Sequence, residues 1–207
     1  MKASGRFCQR AQDGDSPRKL NVFATLGIAV ALVGTFVALP STASASHVPA
    51  WTYTSTDFGA RADPVSMIAY AGLTAVTRAL QNAGWHKTAC GYVEYVYYNG
   101  RWIAQNAQLE RDPDGFCGIL GTRKHIRLWQ LEPNLVIMAA HLDHTHSTGH
   151  QVHDYEGTED FVAAEFQALG SWGVFPDDHF MDNYVSYLHD ENVLVFSDGN
   201  ATEIYRH

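Results

Sequence analysis

The chain has 207 residues, with 14 Lys or Arg against 22 Asp or Glu, a formal charge of −8 when its eleven histidines are neutral. A surface this acidic argues against nucleic acid or anionic lipid as the main partner. Residues 1–45 hold five of the basic groups (Lys2, Arg6, Arg10, Arg18, Lys19) and only two acidic ones, so the remainder is more acidic still. The same segment contains a nearly unbroken apolar run at 21–40, followed by Ala43-Ser44-Ala45. A basic start, an apolar stretch and a small-x-small site predict a cleaved signal peptide. The competing reading is an uncleaved membrane anchor, since roughly 20 apolar residues span a bilayer. The expected location is secreted or cell-envelope, with membrane contact only if the leader is retained.

Residues 46–62 read as an extended, Thr-rich arm with Trp51, Tyr53 and Phe58, packing down loosely. Residues 63–207 are long enough for a single domain with a buried core. In chain order, the apolar run 65–71 between Pro64 and Gly72 predicts a buried strand. Leu73, Val76, Thr77 and Leu80 then follow helical spacing up to Gly84, a C-terminal cap. Asn99-Gly100 suits a two-residue type I′ turn, so residues 92–98 and 101–108 form a hairpin. Its expected apolar face carries Tyr97 and Trp102. Asp112-Pro113-Asp114-Gly115 is a turn. Residues 123–130 form a strand with Arg123, His125, Arg127 and Trp129 on one face. After Glu132-Pro133-Asn134, a central strand covers 135–142. Residues 156–169 form a helix ended by Gly170. Residues 171–192 read as irregular and acidic, 193–196 as a last short strand, and 202–205 as a tail with possible pairing. The order predicts an α+β protein, a ferredoxin-like, split βαβ sandwich with an inserted β-hairpin, preceded by a signal peptide.

Cys90 and Cys117 are the two cysteines beyond the leader. In an exported chain they predict one disulfide; the alternative is two buried thiols.

Asp63-Pro64 before a strand, Ala83-Gly84-Trp85 after a helix, and Arg123-x-His125-x-Arg127-Leu128-Trp129 together resemble the C-terminal domain of LssY-type proteins. The resemblance covers about residues 63–169. In that family an Arg-x-His-x-Arg-Leu-Trp strand precedes a small-residue strand, a histidine-bearing segment and a helix. Residues 139–143, then His150 or His153, then the helix from Glu156 fill those places. Ser66 stands where the family has Asn, and Glu159 where it has an Arg. The resemblance implies a domain type and no established activity.

Residues 141–153 concentrate metal-capable groups: His141, Asp143, His144, His146, His150 and His153. Zinc takes three or four imidazole and carboxylate ligands in a tetrahedron. The expected set is His141 and Asp143 with His150 or His153, joined by His125 from the neighbouring strand, and Glu156 as the nearest base for an activated water. Such a site would make the protein a metal-assisted hydrolase of an envelope or extracellular substrate. A different reading makes it a non-enzymatic envelope module. Arg123, His125 and Arg127 share a strand face, and two guanidiniums grip a small phosphate or carboxylate ligand bidentately. A third reading is structural, with Arg123 and Asp143 a plain ion pair. Register decides among them. A three-residue turn sets His125 opposite His141 and Arg123 opposite Asp143; a four-residue turn moves them to opposite faces.

Overall fold

The computed structural model describes residues 53–56, 59–111, 121–146, 149–188 and 192–207. The leader, Cys117 with its expected bridge to Cys90, the turn at 112–115 and the side chains of His146 and His150 lie outside this description. No helix among the described residues is long and apolar enough to cross a membrane.

The class is α+β and mostly sheet. The first strand, β1 (Met67–Tyr70), leads into α1 (Leu73–Asn82). That helix buries Val76, Thr77, Ala79 and Leu80, the face its spacing dictates. It stops at Gly84, whose φ of +97° suits a residue without Cβ, while Trp85 donates its backbone N–H to the Leu80 carbonyl. β2 (His86–Lys87) follows, then the hairpin β3 (Tyr95–Tyr98) and β4 (Arg101–Ala104). Asn99 (φ 48°) and Gly100 (φ 78°) make its two-residue turn. The chain continues as β5 (Ala107–Arg111), β6 (Thr122–Glu132), β7 (Leu135–His146), β8 (Gly149–Asp154) and α2 (Glu156–Ala168). It ends with β9 (Trp172–Phe180), β10 (Val185–Leu188), β11 (Leu194–Ser197) and β12 (Asn200–Arg206).

The main sheet runs β2-β5-β6-β7-β1-β12-β9, and β8 pairs with the far half of β7. β1 and β12 are parallel; the other neighbours are antiparallel. Consequently β1 and β6 run the same way with β7 between them, and β7 and β9 the same way with β1 and β12 between them. α1 and α2 pack on one face against Met67, Leu109, Ile126, Leu128, Val136 and Met138. The other face is a smaller core of Val65, Ile68, Trp129, Ile137 and Ala139, covered by Val96, Tyr98 and Ile103 of the β3–β4 hairpin.

Three expectations fail locally. The hairpin register holds, with Tyr97 opposite Trp102, but these two point outward at 51% and 37% exposure while Val96 and Tyr98 are buried. Apolar residues occupy both hairpin faces, so alternation alone does not say which one is covered. The segment 171–192, read as irregular, contains β9 and β10; the pairing expected at 202–205 does form, as β12, a strand inside the sheet. β9 hides from the pattern because it is an edge strand with an exposed acidic middle. The arm is not loose either: Thr54 and Ser55 are buried, Ser55 exchanges backbone bonds with Tyr95, and Thr54 exchanges them with Ala62 and Asp63.

Candidate metal centre

β6 and β7 pair with Arg123 opposite Asp143, His125 opposite His141, Arg127 opposite Ala139 and Trp129 opposite Ile137. This is the register of the shorter turn, with an irregularity between Gln130 and Glu132. All four β6 side chains therefore point to the face beneath the β3–β4 hairpin. β1 leaves the edge of β7 near Met138, and β8 takes over that edge from Leu142 onward. Asp63, just ahead of β1, enters at this fork in the sheet. Its backbone is held by the arm: its N–H donates to Thr54 Oγ1 at 2.8 Å.

Three donor groups converge there. His125 Nδ1 lies 3.3 Å from His141 Nε2, His141 Nε2 lies 3.1 Å from Asp143 Oδ1, and His125 Nδ1 lies 3.9 Å from Asp143 Oδ2. Ligands around a tetrahedral zinc with bonds of about 2.0–2.1 Å stand about 3.4 Å apart. The two shorter separations lie close to that value, and one donor atom from each residue lies within 4.8 Å of the others. The group is buried, with exposures of 0% for His125, 3% for His141 and 5% for Asp143.

Two of these side chains, His141 and Asp143, are braced from behind. Asp63 Oδ2 lies 3.2 Å from His141 Nδ1, the ring nitrogen turned away from the other donors. A carboxylate on the far nitrogen fixes the orientation of a metal-binding histidine. Asp63 itself accepts from Arg127 Nη1 at 2.9 Å and from the Tyr155 hydroxyl at 3.1 Å. Arg127 also meets Glu94 at 2.9 Å. On the other side Arg123 donates to Asp143 Oδ2 at 3.2 Å and to Glu110 Oε2 at 3.1 Å. Tyr187, at the surface, lies beside the Tyr155 hydroxyl.

Burial disfavours charge, yet the pairings overcome it. Burial pushes the Asp63 carboxyl up, but the His141 imidazolium, then Arg127 and Tyr155, hold it down at about 2. Burial likewise opposes a charged His141, but Asp63 and Asp143 flank the ring and push it up to about 10. Asp143 is lowered because His141 and Arg123 outweigh its burial. Glu94 moves the other way: burial and the nearby Asp63 raise it despite Arg127. These pairings favour a protonated His141, and a metal ion would compete with that proton.

The residues singled out in the sequence divide sharply. His125, His141 and Asp143 come together. His153 instead sets its ring against His144, 4.9 Å between centroids, and stands apart from the three. Glu156 turns away from the site: its Oε1 accepts the Asp198 backbone N–H at 2.9 Å. Burial, with Asp198 and Asp177 near, pushes it up to about 7. Arg123, His125 and Arg127 do share a face, but that face is buried and each guanidinium already meets two carboxylates.

Four participants were not picked out from the sequence: Asp63, Glu94, Glu110 and Tyr155. Glu94 and Glu110 carried no signal beyond being acidic residues beside apolar strands. Asp63 has a signal only as part of the Asp63-Pro64 pair ahead of a strand in the family resemblance, not as a site residue. Tyr155 directly precedes Glu156, and on entering a helix neighbouring residues point about 100° apart. The chain matches no protein-family model, and no curated protein or solved structure matches it.

Proposed function

We propose that residues 63–207 form a metal-binding domain whose ion is held by His125 Nδ1, His141 Nε2 and a carboxylate oxygen of Asp143. The observation that carries this reading is the convergence of three buried groups, with His125 Nδ1 3.3 Å from His141 Nε2, His141 Nε2 3.1 Å from Asp143 Oδ1, and one donor atom of each within 4.8 Å of the others. Zinc suits two imidazoles and a carboxylate. Three protein ligands leave a fourth position, and a water activated there is what a metal-assisted hydrolase uses. The chain's own residues orient the set: Asp63 fixes the His141 ring, Arg123 fixes Asp143, and Arg127 with Tyr155 fixes Asp63. The leader supports action outside the cytoplasm, in the cell envelope or beyond. The Arg-x-His-x-Arg-Leu-Trp strand at the centre of the site supports kinship with the LssY C-terminal domain. The two crossovers, each with other strands between its ends, support an elaborated ferredoxin-like arrangement. Anion binding by Arg123, His125 and Arg127 is the weaker reading, because those guanidiniums are already neutralised.

The test is elemental analysis of the untagged protein, with cobalt substitution as a spectroscopic check on tetrahedral geometry. Near-stoichiometric metal, lost in His125→Ala and His141→Ala but kept in His153→Ala, is the expected outcome. Wild-type protein that retains no metal, and melts no higher with added zinc, would leave only a buried ion network.

A further inference from the structure

The arginines of β6 are neutralised from within, but two others are not. Arg78 and Arg206 both line a cavity of about 660 Å³ that also borders the β6–β7 turn and the start of β9. On α1, Thr74, Arg78 and Asn82 follow one another at intervals of four and share the face opposite the buried Val76 and Leu80. Arg206, the last residue of β12, is in register with Trp172 of β9, which forms another wall. Gln130 and Asn134 add amide groups. No Asp or Glu lines this cavity. Among the described residues neither Arg78 nor Arg206 has a carboxylate partner, whereas Arg111, Arg123 and Arg127 each have one or more.

We propose that this cavity is a binding site for a small phosphate- or carboxylate-bearing molecule, gripped by Arg78 and Arg206. In a chain of net charge −8, two guanidiniums directed to one concavity free of acidic groups set up a local positive potential. Guanidiniums pair with phosphate and carboxylate oxygens in fork geometry, so two of them favour a dianion. The volume lies in the range of sites for small organic ligands, roughly 300–1,000 Å³. The first turn of α1, without an acidic side chain, adds to the same potential and opposes nothing. Trp172 offers an apolar wall for the ligand's carbon skeleton. This site is independent of the metal centre, which lies beneath the opposite face of the sheet.

The experiment is calorimetric titration of the full chain with inorganic phosphate, phenyl phosphate and succinate at constant ionic strength, with chloride as the reference. Saturable binding of at least one dianion is expected, and the ranking separates phosphate from carboxylate recognition. Arg78→Gln and Arg206→Gln should each weaken it about tenfold, with partial rescue in Arg78→Lys, because lysine keeps the charge and loses the fork. Both positions are exposed, so the variants should melt as the wild type does. His141→Ala should bind the dianion unchanged. No saturable binding by wild-type protein of any of the three, or equal binding by the double Arg variant, would overturn the proposal.

Discussion

Asp63→Asn is the most informative single change. The Asp63 carboxylate accepts from Arg127 and Tyr155 and faces His141 Nδ1, so it is the hinge between the ion network and the metal ligands. Breaking a buried ion pair by neutralising one partner costs about 3–5 kcal/mol. Here Arg127 keeps Glu94, and an amide oxygen still accepts from Tyr155, so the lower end applies, about 3 kcal/mol. In a domain of this size that lowers Tm by about 6–12 °C. The effect should depend on pH with a defined shape. Asp63 is held at about 2, below the ordinary 3.8, so its contribution is complete above that value and is lost as pH falls through about 2. His141 is raised from 6.5 to about 10, so its contribution is complete below 6.5 and is lost as pH rises through about 10. The gap between wild type and variant should therefore be widest from about pH 4 to 6.5 and narrow on both sides. Urea denaturation of chelator-treated protein at stepped pH measures it. A gap under about 1 kcal/mol at pH 5.5, or one that is flat from acid to alkali, would refute the reasoning.

Two further changes probe the surroundings. Tyr155→Phe removes a hydrogen bond to a charged acceptor and should cost about 1.5–3 kcal/mol, read by thermal denaturation, with a smaller loss for Tyr187→Phe at the surface. Glu159 is raised well above its ordinary value because burial and the nearby Glu156 outweigh its bond from the Thr202 amide. A raised carboxyl favours the fold below about pH 4.5 and weighs against it as pH climbs. Glu159→Gln keeps the acceptor and removes the charge, so at pH 8 it should stabilise by about 1–3 kcal/mol, and at pH 4 change little. Equal effects of the substitution at both pH values would show that burial of the charge is not the cause.

The elements with strong local signatures were readable from the sequence. α1 has its periodic face and its glycine stop, α2 its apolar stripe, and the β3–β4 turn its Asn-Gly pair. What was not readable depends on distant partners. β12 joins β1 across more than a hundred residues, and nothing in Asn200–Arg206 alone marks it as a strand inside the sheet. The same holds for the site. His141 and Asp143 stood out because they crowd one segment, yet that crowding also promoted His153, which β8 carries to His144 instead. Asp63, isolated in sequence from every histidine, is the residue that holds the site together.

The register of β6 on β7 shows how charge settles what hydrophobicity leaves open. Usually one apolar face fixes the register of a strand, because a slip by one residue exposes it. Here both faces of β7 are buried, Val136, Met138 and Ala140 under the helices and Ile137 and Ala139 under the hairpin. A slip would trade one apolar set for another at little cost in buried area. It would not be neutral for the polar ends of the strands. In the observed register Arg123 meets Asp143 and His125 meets His141 on one face. Displaced by one, Arg123 and His125 would lie across from Leu142 and Ala140, Arg123 would keep only Glu110 of β5, and Asp143 would lie on the opposite face without its arginine. A buried charge without a partner costs several kcal/mol, more than any difference between the two apolar faces. The charges that assemble the candidate metal centre therefore also select the strand pairing on which it is built.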